Sequence, residues 1–278
     1  MLELGFTDEL IDSFVNQLKM SKVRSIDEFL EHRADYREIG KIAIAQAIIG
    51  CEPQFPAFDP LFHTTSAPGE VAKIAKRWYP QLLAALNCGL GLLEENKLSI
   101  VTFNYDRSLE HFLYSSWLAR YGPSSEDMIV RAIRQLSITH VHGKLGNLPW
   151  ETDGHVRAYG QRKNASELRA SGNLISIVHE GDRQSREFTR ARNLFADSDR
   201  IFFLGFGYHQ SNLRRLGVEG RGFDSKTFLG TRAGLEDLEV RNLGGQFESL
   251  GNLPRVPNVE IHDFLRRVVN LDGELTLF

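Results

Sequence analysis

Polar side chains and glycines follow the predicted strands of this 278-residue sequence at the points where the strands end. Asn104, Tyr105 and Asp106 follow the first strand candidate, and His142 and Gly143 follow the second. In doubly wound sheets, ligands bind outside the carboxyl ends of the parallel strands. An imidazole that titrates near neutral pH suits general base catalysis, while amides and carboxylates orient polar substrates. The sequence therefore predicts a site for a phosphorylated or nucleotide ligand at this edge.

Two glycine-containing turns follow later strand candidates and extend the same prediction. Gly205, Phe206 and Gly207 come after the fourth candidate, and Gly230 and Thr231 come after the fifth. Glycine suits a tight turn between a strand and a helix because it adopts positive φ without steric cost. A single Gly-x-Gly is a weak signal, so these turns gain meaning only together with the other strand ends.

Several of these residues also have a simpler structural interpretation. Asp106 can cap the helix that follows it, and Asn104 can act as a local turn residue. His140 and His142 lie two positions apart, so their side chains share one side of a strand. They are either buried core histidines or a His-x-His metal pair, and the sequence leaves both interpretations open.

Short apolar runs alternate with helical patterns from residue 98 onward. This alternation predicts a mainly parallel, Rossmann-like sheet covered by helices, and hence the α/β class. The strand candidates are residues 98–103, 137–141, 174–178, 201–204, 227–229 and 259–261, and the helices are 107–121, 183–196 and a closing helix capped by Asp263.

The first 95 residues show helical patterns instead. Thr7 and Ser25 are predicted N-caps, and Ser25 forms a capping box with Glu28. Residues 36–49 are apolar on most faces, which is typical of a buried helix. A proline-rich loop is predicted over 51–69, and the helical pattern resumes over 70–95. We expect a helical cap segment over residues 1–95 and a Rossmann-like domain over 96–278.

Composition excludes several classes of protein. The chain carries 33 Lys and Arg against 36 Asp and Glu, so a basic nucleic-acid or membrane-surface binder is not expected. Hydrophobic residues make up 42%, enough for a buried core. The two cysteines, Cys51 and Cys88, form no CxxC pair, and the sequence contains neither an 18-residue apolar run nor a signal peptide. We expect a soluble, cytoplasmic protein.

Three segments, read in order, carry a family resemblance. Residues 101–106 are VTFNYD, residues 138–143 are ITHVHG, and residues 203–208 are FLGFGY. Together they resemble the sirtuin-like NAD-consuming family, in particular its prokaryotic branch in anti-phage defence. That family has Asn-x-Asp after one strand and His-Gly after the next, matched here by Asn104, Asp106, His142 and Gly143.

The resemblance implies that NAD is the substrate and that its nicotinamide–ribose bond is cleaved. It implies no metal. Asn104 and His142 would be catalytic, with Asn104 holding the ribose or the attacking water and His142 acting as general base. The bond breaks through an oxocarbenium-like centre, as in glycoside cleavage. Partners would be NAD and a second copy or a defence-system protein. The cofactor-binding residues would be Asp106, Tyr105, Gly143, Gly205, Phe206, Gly207, Gly230 and Thr231.

Two departures from the family pattern keep other hypotheses open. The zinc ribbon of protein-deacetylating sirtuins needs two CxxC pairs, which this sequence lacks, so NAD hydrolysis is favoured over deacetylation. The phosphate-binding Gly-x-Gly-x-Ser turn is also missing, and we expect the coding region upstream of Met1 to supply it in frame. The alternatives are a degenerate, non-catalytic nucleotide- or partner-binding module and a metal-dependent hydrolase that uses His140 and His142.

Overall fold

The structure is a computed structural model that describes residues 2–23, 25–52, 78–86, 89–151, 154–161, 164–177, 185–218, 226–232, 234–246 and 258–267. In chain order its helices and strands are α1 (Asp8–Ser21), α2 (Ile26–His32), α3 (Arg37–Cys51), α4 (Tyr79–Ala85), β1 (Ile100–Thr102), α5 (Ser108–Tyr121), α6 (Glu126–Gln135), β2 (Ile138–His140), α7 (Ala165–Asn173), α8 (Arg186–Asp197), β3 (Arg200–Phe203), α9 (Gln210–Leu216), β4 (Thr227–Gly230), α10 (Asp237–Gln246) and α11 (Ile261–Arg267). Short 3-10 helices cover Leu2–Leu4, Ala34–Tyr36, Leu90–Glu95 and Pro123–Ser125.

The chain forms two compact units, and each contains two separate stretches of sequence. Unit 1 combines Met1–Asp59 with Lys97–Glu187, and unit 2 combines Pro60–Asn96 with Phe188–Phe278. The division of the chain into a helical cap and a Rossmann-like domain at residue 95 stays a prediction.

Helices α1 and α2 of unit 1 begin at the predicted caps. Thr7 Oγ1 accepts a hydrogen bond from the Leu10 amide at 3.2 Å, and Ser25 Oγ accepts one from the Glu28 amide at 3.2 Å. Helix α3 buries most of its isoleucines as its apolar sequence predicts, with Ile42 fully inaccessible. It packs against α7, where a Cβ on Gly172 would lie 3.0 Å from Ile42 Cγ1. Gly172 therefore allows the two helices to approach closely.

The described strands form two separate parallel pairs. In unit 1, β1 pairs with β2, and Thr102 lies opposite His140. In unit 2, β3 pairs with β4, and Phe203 lies opposite Gly230. A parallel pair needs a crossover connection, which α5 and α6 provide between β1 and β2. The structure thus mixes helices with parallel strands, and within the described residues each sheet has two strands.

Two predicted strands are wrong. Residues 174–177 are irregular, and the Ser176 amide donates to the His142 carbonyl at 2.9 Å. Their apolar pattern arises because Ile175 and Ile177 are buried in the unit 1 core rather than because they form a strand. Residues 259–261 lead into α11, which places Asp263 in its first turn and not at its cap.

Other predictions fall partly outside the described residues. Most of the proline-rich loop and the beginning of the helix predicted from residue 70 lie at positions 53–77, which the structure does not describe. The later part of that helix is present as α4, followed by the 3-10 helix Leu90–Glu95. None of the helices in the described ranges combines the length and hydropathy needed to cross a membrane.

Candidate functional site

The segments that follow β1 and β2 lie side by side in unit 1. The Val141 amide donates to the Thr102 carbonyl at 3.0 Å, and the Leu145 amide donates to the Tyr105 carbonyl at 3.1 Å. The two chain segments therefore stay hydrogen-bonded to each other beyond the strands themselves. It brings the backbone of residues 104–106 next to the segment that contains His142 and Gly143.

The side chains of Asn104 and of the two residues after it lie in different surroundings. The side chain of Asn104 is exposed, while its backbone amide donates to Thr102 Oγ1 at 3.1 Å. Tyr105 is buried, and its hydroxyl donates to Asp27 Oδ1 on α2 at 2.6 Å. Asp106 Oδ1 accepts hydrogen bonds from the amide of Ser108 at 3.0 Å and from its hydroxyl. The N-cap of α5 is Arg107, so Asp106 lies one residue before the cap that was predicted for it, and its carboxylate binds the first residue of the helix.

His142 is buried, with 4% of the residue exposed. Its ring centroid lies 5.5 Å from that of Phe103 and 6.4 Å from that of Tyr105. The Phe103 contact is edge-on, which is a favoured geometry for aromatic pairs. The imidazole therefore sits within the aromatic surroundings of the β1 end rather than on an open surface.

Gly143 occupies a position where both the backbone conformation and the surroundings exclude a side chain. Its φ is +78°, and an added Cβ would lie 2.0 Å from the carbonyl oxygen of Leu174. No side chain fits there unless the backbone of residues 174–176 moves. Since the Ser176 amide bonds to the His142 carbonyl, that movement would also disturb the site.

Replacing Gly143 by alanine is accordingly expected to reduce the free energy of unfolding by about 2 kcal/mol or more. Gly50 in α3 is a matched control, because an added Cβ there meets nothing within 4 Å. Gly50→Ala is expected to be neutral or to stabilise the protein by about 0.5–1 kcal/mol. Urea unfolding of both variants provides the measurement. Equal free energies for the two would contradict the close approach to Leu174.

His140 is engaged through both ring nitrogens. Nδ1 lies 2.8 Å from the Asn104 carbonyl oxygen, and Nε2 lies 2.7 Å from Glu110 Oε1 on α5. A carbonyl oxygen only accepts, so Nδ1 carries the proton of that bond. Burial alone would raise the pKa of Glu110, but the hydrogen bond and charge of His140 outweigh it and lower that pKa. Both ring nitrogens of His140 are therefore held by hydrogen bonds within the protein.

The bonding of His140 bears on the metal alternative. A histidine whose two ring nitrogens both form hydrogen bonds within the protein offers neither nitrogen to a metal ion. Among the described residues, no group of three or more His, Cys, Asp or Glu side chains is arranged to hold a metal.

Purified protein is expected to contain zinc well below one equivalent per chain, and a chelator is expected to leave its melting temperature unchanged. The reason is that His140, one half of the His-x-His pair, is committed to Asn104 and Glu110. Elemental analysis and thermal unfolding with and without chelator check this prediction. One zinc per chain, with a lower melting temperature after chelation, would favour the hydrolase alternative.

A buried ionic cluster of Glu52, Arg107 and Arg157 was not predicted from the sequence. Arg107 Nη2 donates to Glu52 Oε1 at 3.0 Å, and both terminal nitrogens of Arg157 donate to the same carboxylate. Burial alone would raise the pKa of Glu52, but its bonds to the two guanidinium groups lower it. Arg107 directly follows Asp106, and its Nη1 also donates to the Arg157 carbonyl at 2.7 Å. The cluster ties the end of α3 and residues 157–160 to the candidate site.

An aromatic pair adjoins this cluster. The rings of His111 and Tyr159 stack with centroids 4.0 Å apart, and the Arg107 guanidinium lies 5.9 Å from the Tyr159 centroid. Burial and the neighbouring positive charge of Arg107 lower the pKa of His111, so its imidazole is neutral near pH 7. Burial, together with the negative charges of Glu52 and Asp106, raises the pKa of Tyr159. Both rings of the His111–Tyr159 pair are therefore uncharged beside the ionic cluster.

The two glycine-containing turns lie in unit 2 and contact each other. The Gly205 amide donates to Thr231 Oγ1 at 2.8 Å, and the Tyr208 hydroxyl donates to the Thr231 carbonyl at 3.0 Å. Gly205 has a φ of +60°, so its predicted role in a tight turn is consistent with its backbone. A Cβ on Gly230 would lie 2.1 Å from the Tyr208 hydroxyl oxygen, which explains a glycine there.

Phe206 and Gly207 complete this turn. The Phe206 ring packs against Phe203 and Tyr208, with centroids 5.3 and 5.4 Å away. Gly207 is exposed, and a Cβ added there would meet nothing within 4 Å. Thus Asn104, Tyr105, Asp106, His142 and Gly143 belong to unit 1, while Gly205, Phe206, Gly207, Gly230 and Thr231 belong to unit 2.

Comparisons of the chain with protein-family models, with curated proteins and with solved structures found no match.

Proposed function

We propose that this chain is an NAD⁺ glycohydrolase-type protein of the sirtuin-like kind that acts in anti-phage defence. One observation carries the proposal. The paired ends of β1 and β2 bring the exposed amide of Asn104 and the segment of His142 to one edge, with the Asn104 carbonyl 2.8 Å from His140 Nδ1. Residue types that suit glycosidic cleavage thus occur on adjoining backbone segments, in the order of the family motifs.

The proposed reaction breaks the bond between C1′ of the ribose and the nicotinamide nitrogen. The electron pair of that bond leaves with nicotinamide, and the ribose passes through an oxocarbenium-like state. The Asn104 amide holds the attacking water or a ribose hydroxyl, and His142 accepts the proton that the water loses. NAD⁺ and water therefore yield nicotinamide, ADP-ribose and a proton, without a metal.

The remaining parts of the proposal rest on the resemblance. Gly143 allows close backbone approach, as its positive φ permits. Contacts of NAD with Gly205, Phe206, Gly207, Gly230 and Thr231 stay predictions, as does the Rossmann-like character of the fold. A cytoplasmic location suits a protein that consumes NAD.

The proposal is tested by incubating the protein with NAD and separating the products by chromatography. We expect nicotinamide and ADP-ribose, or its cyclised form, to appear in equal amounts. Protein that is folded by circular dichroism and melts cooperatively, yet leaves NAD intact, would contradict the proposed activity.

A second candidate is the non-catalytic nucleotide- or partner-binding module. It is favoured by the burial of His142, since a general base must reach its substrate, and by the engagement of Asp106 with Ser108. The same incubation separates the two functions. If NAD raises the melting temperature of the protein and is recovered unchanged, the chain binds the nucleotide without cleaving it.

A further inference from the structure

A continuous series of hydrogen bonds joins helix α5 to the candidate site. Glu110 Oε1 lies 2.7 Å from His140 Nε2, and His140 Nδ1 lies 2.8 Å from the carbonyl oxygen of Asn104. Glu110 and His140 are buried, with 5% and 8% of each residue exposed, whereas the Asn104 side chain is exposed. The series therefore runs from the interior of unit 1 to the residue that the proposed reaction uses.

Two side chains fix the backbone of Asn104. His140 donates to its carbonyl from β2, and Thr102 Oγ1 accepts from its amide at the end of β1. The orientation of the His140 ring depends in turn on Glu110, because a ring held at one nitrogen only can turn about that bond. A misplacement of about 1 Å at a reacting group lowers catalysis by up to about 100-fold.

We propose that Glu110 is a positioning residue, which acts through His140 to hold Asn104 where the reaction needs its amide. This inference rests on the proposed NAD cleavage. It adds Glu110 and His140 to the machinery, although neither is assigned contact with substrate.

The surroundings agree with an ionised Glu110. Lys144, in the segment after β2, and Arg107, at the start of α5, both interact electrostatically with the Glu110 carboxylate. Both are cations, so they favour the ionised form of Glu110.

The test compares two replacements of similar size at Glu110. Glu110→Gln keeps a hydrogen-bonding partner for His140 Nε2, whereas Glu110→Met fills the space without one. We expect Glu110→Met to lower kcat for nicotinamide release about 10-fold with KM within about 2-fold, and Glu110→Gln to recover most of kcat. Glu38→Gln is the control, since Glu38 forms an exposed ion pair with Arg169 on the same unit.

A second variant separates positioning from a general loss of packing. The side-chain amide of asparagine can replace the Nδ1–H donor of histidine, so His140→Asn keeps the bond to the Asn104 carbonyl without needing Glu110. We expect Glu110→Met to have less than a 2-fold effect on kcat in the His140→Asn background. A full 10-fold effect there would overturn the inference, as would an unchanged kcat in Glu110→Met alone.

A readout without NAD distinguishes failure of this inference from failure of the proposed function. The backbone amide NMR signals of Asn104 and Tyr105 are expected to shift in Glu110→Met and to stay near their wild-type positions in Glu110→Gln. If the wild-type protein cleaves no NAD, the proposed function fails, and these signals still decide whether Glu110 positions Asn104. Unshifted signals in Glu110→Met would overturn the inference whether or not the protein is active.

Discussion

Replacing Asn104 or His142 by alanine is expected to lower the rate of nicotinamide release from NAD by about 100-fold or more, the usual contribution of a positioned acid/base group. Asn104 presents an exposed amide, so its loss should leave the fold intact. His142 is buried beside Phe103, so its variant needs a check of folding by circular dichroism. Initial rates at saturating NAD give the measurement.

Matched controls for these two variants exist in unit 1. Asn173 is an exposed asparagine at the end of α7, and His32 ends α2, and neither belongs to the candidate site. Asn173→Ala and His32→Ala should release nicotinamide at the wild-type rate. Wild-type rates in both Asn104→Ala and His142→Ala would remove these residues from the mechanism.

Replacing Glu52 by alanine is expected to reduce the free energy of unfolding by about 3 kcal/mol or more. The loss of this carboxylate leaves the charges of Arg107 and Arg157 buried without their anionic partner, and breaking a buried ion pair typically costs about 3–5 kcal/mol. Urea unfolding measures the change. Glu38→Ala, which removes an exposed ion pair with Arg169, is expected to cost less than about 1 kcal/mol. Similar losses in the two variants would contradict the burial of the cluster.

The ionic cluster also makes the free energy of unfolding depend on pH, and the sign follows from the lowered pKa of Glu52. The pKa of Glu52 is lowered in the folded protein from its ordinary value of 4.5, so the unfolded state binds the proton more tightly. Its stabilising contribution is complete above pH 4.5 and is lost as the pH falls through the folded pKa. The difference in unfolding free energy between wild type and Glu52→Gln should therefore shrink on acidification. A difference in unfolding free energy that grows towards low pH would mean that folding raises the pKa of Glu52.

The sequence predicted the features that local chemistry controls. Thr7 and Ser25 cap their helices because a hydroxyl before a helix satisfies an amide three residues later, which spacing alone reveals. The helical pattern over 107–121 and the strand candidates at 98–103 and 137–141 were likewise confirmed, with shorter strands in the structure. Residues 174–177 show the limit of such patterns, because an apolar run signals burial and not the backbone conformation.

The ionic cluster and the Glu110–His140 pair could not be predicted, because their partners are distant in sequence. Glu52 lies 55 positions from Arg107 and 105 from Arg157. Glu110 lies 30 positions from His140 on a different element. Charged residues are mostly exposed, so without tertiary contacts each of these side chains is assigned to the surface. The available indication that His140 lies near Asn104 is the pairing of β1 with β2, which places the end of β2 beside Asn104.

The proposed reaction requires NAD to occupy the edge where β1 and β2 end. Titration of NAD into isotopically labelled His142→Ala protein, which should bind NAD but cleave it slowly, tests this by backbone amide NMR. We expect the largest shifts on residues 104–106 and 141–145. Saturable binding of NAD that leaves the signals of both segments unchanged would contradict it.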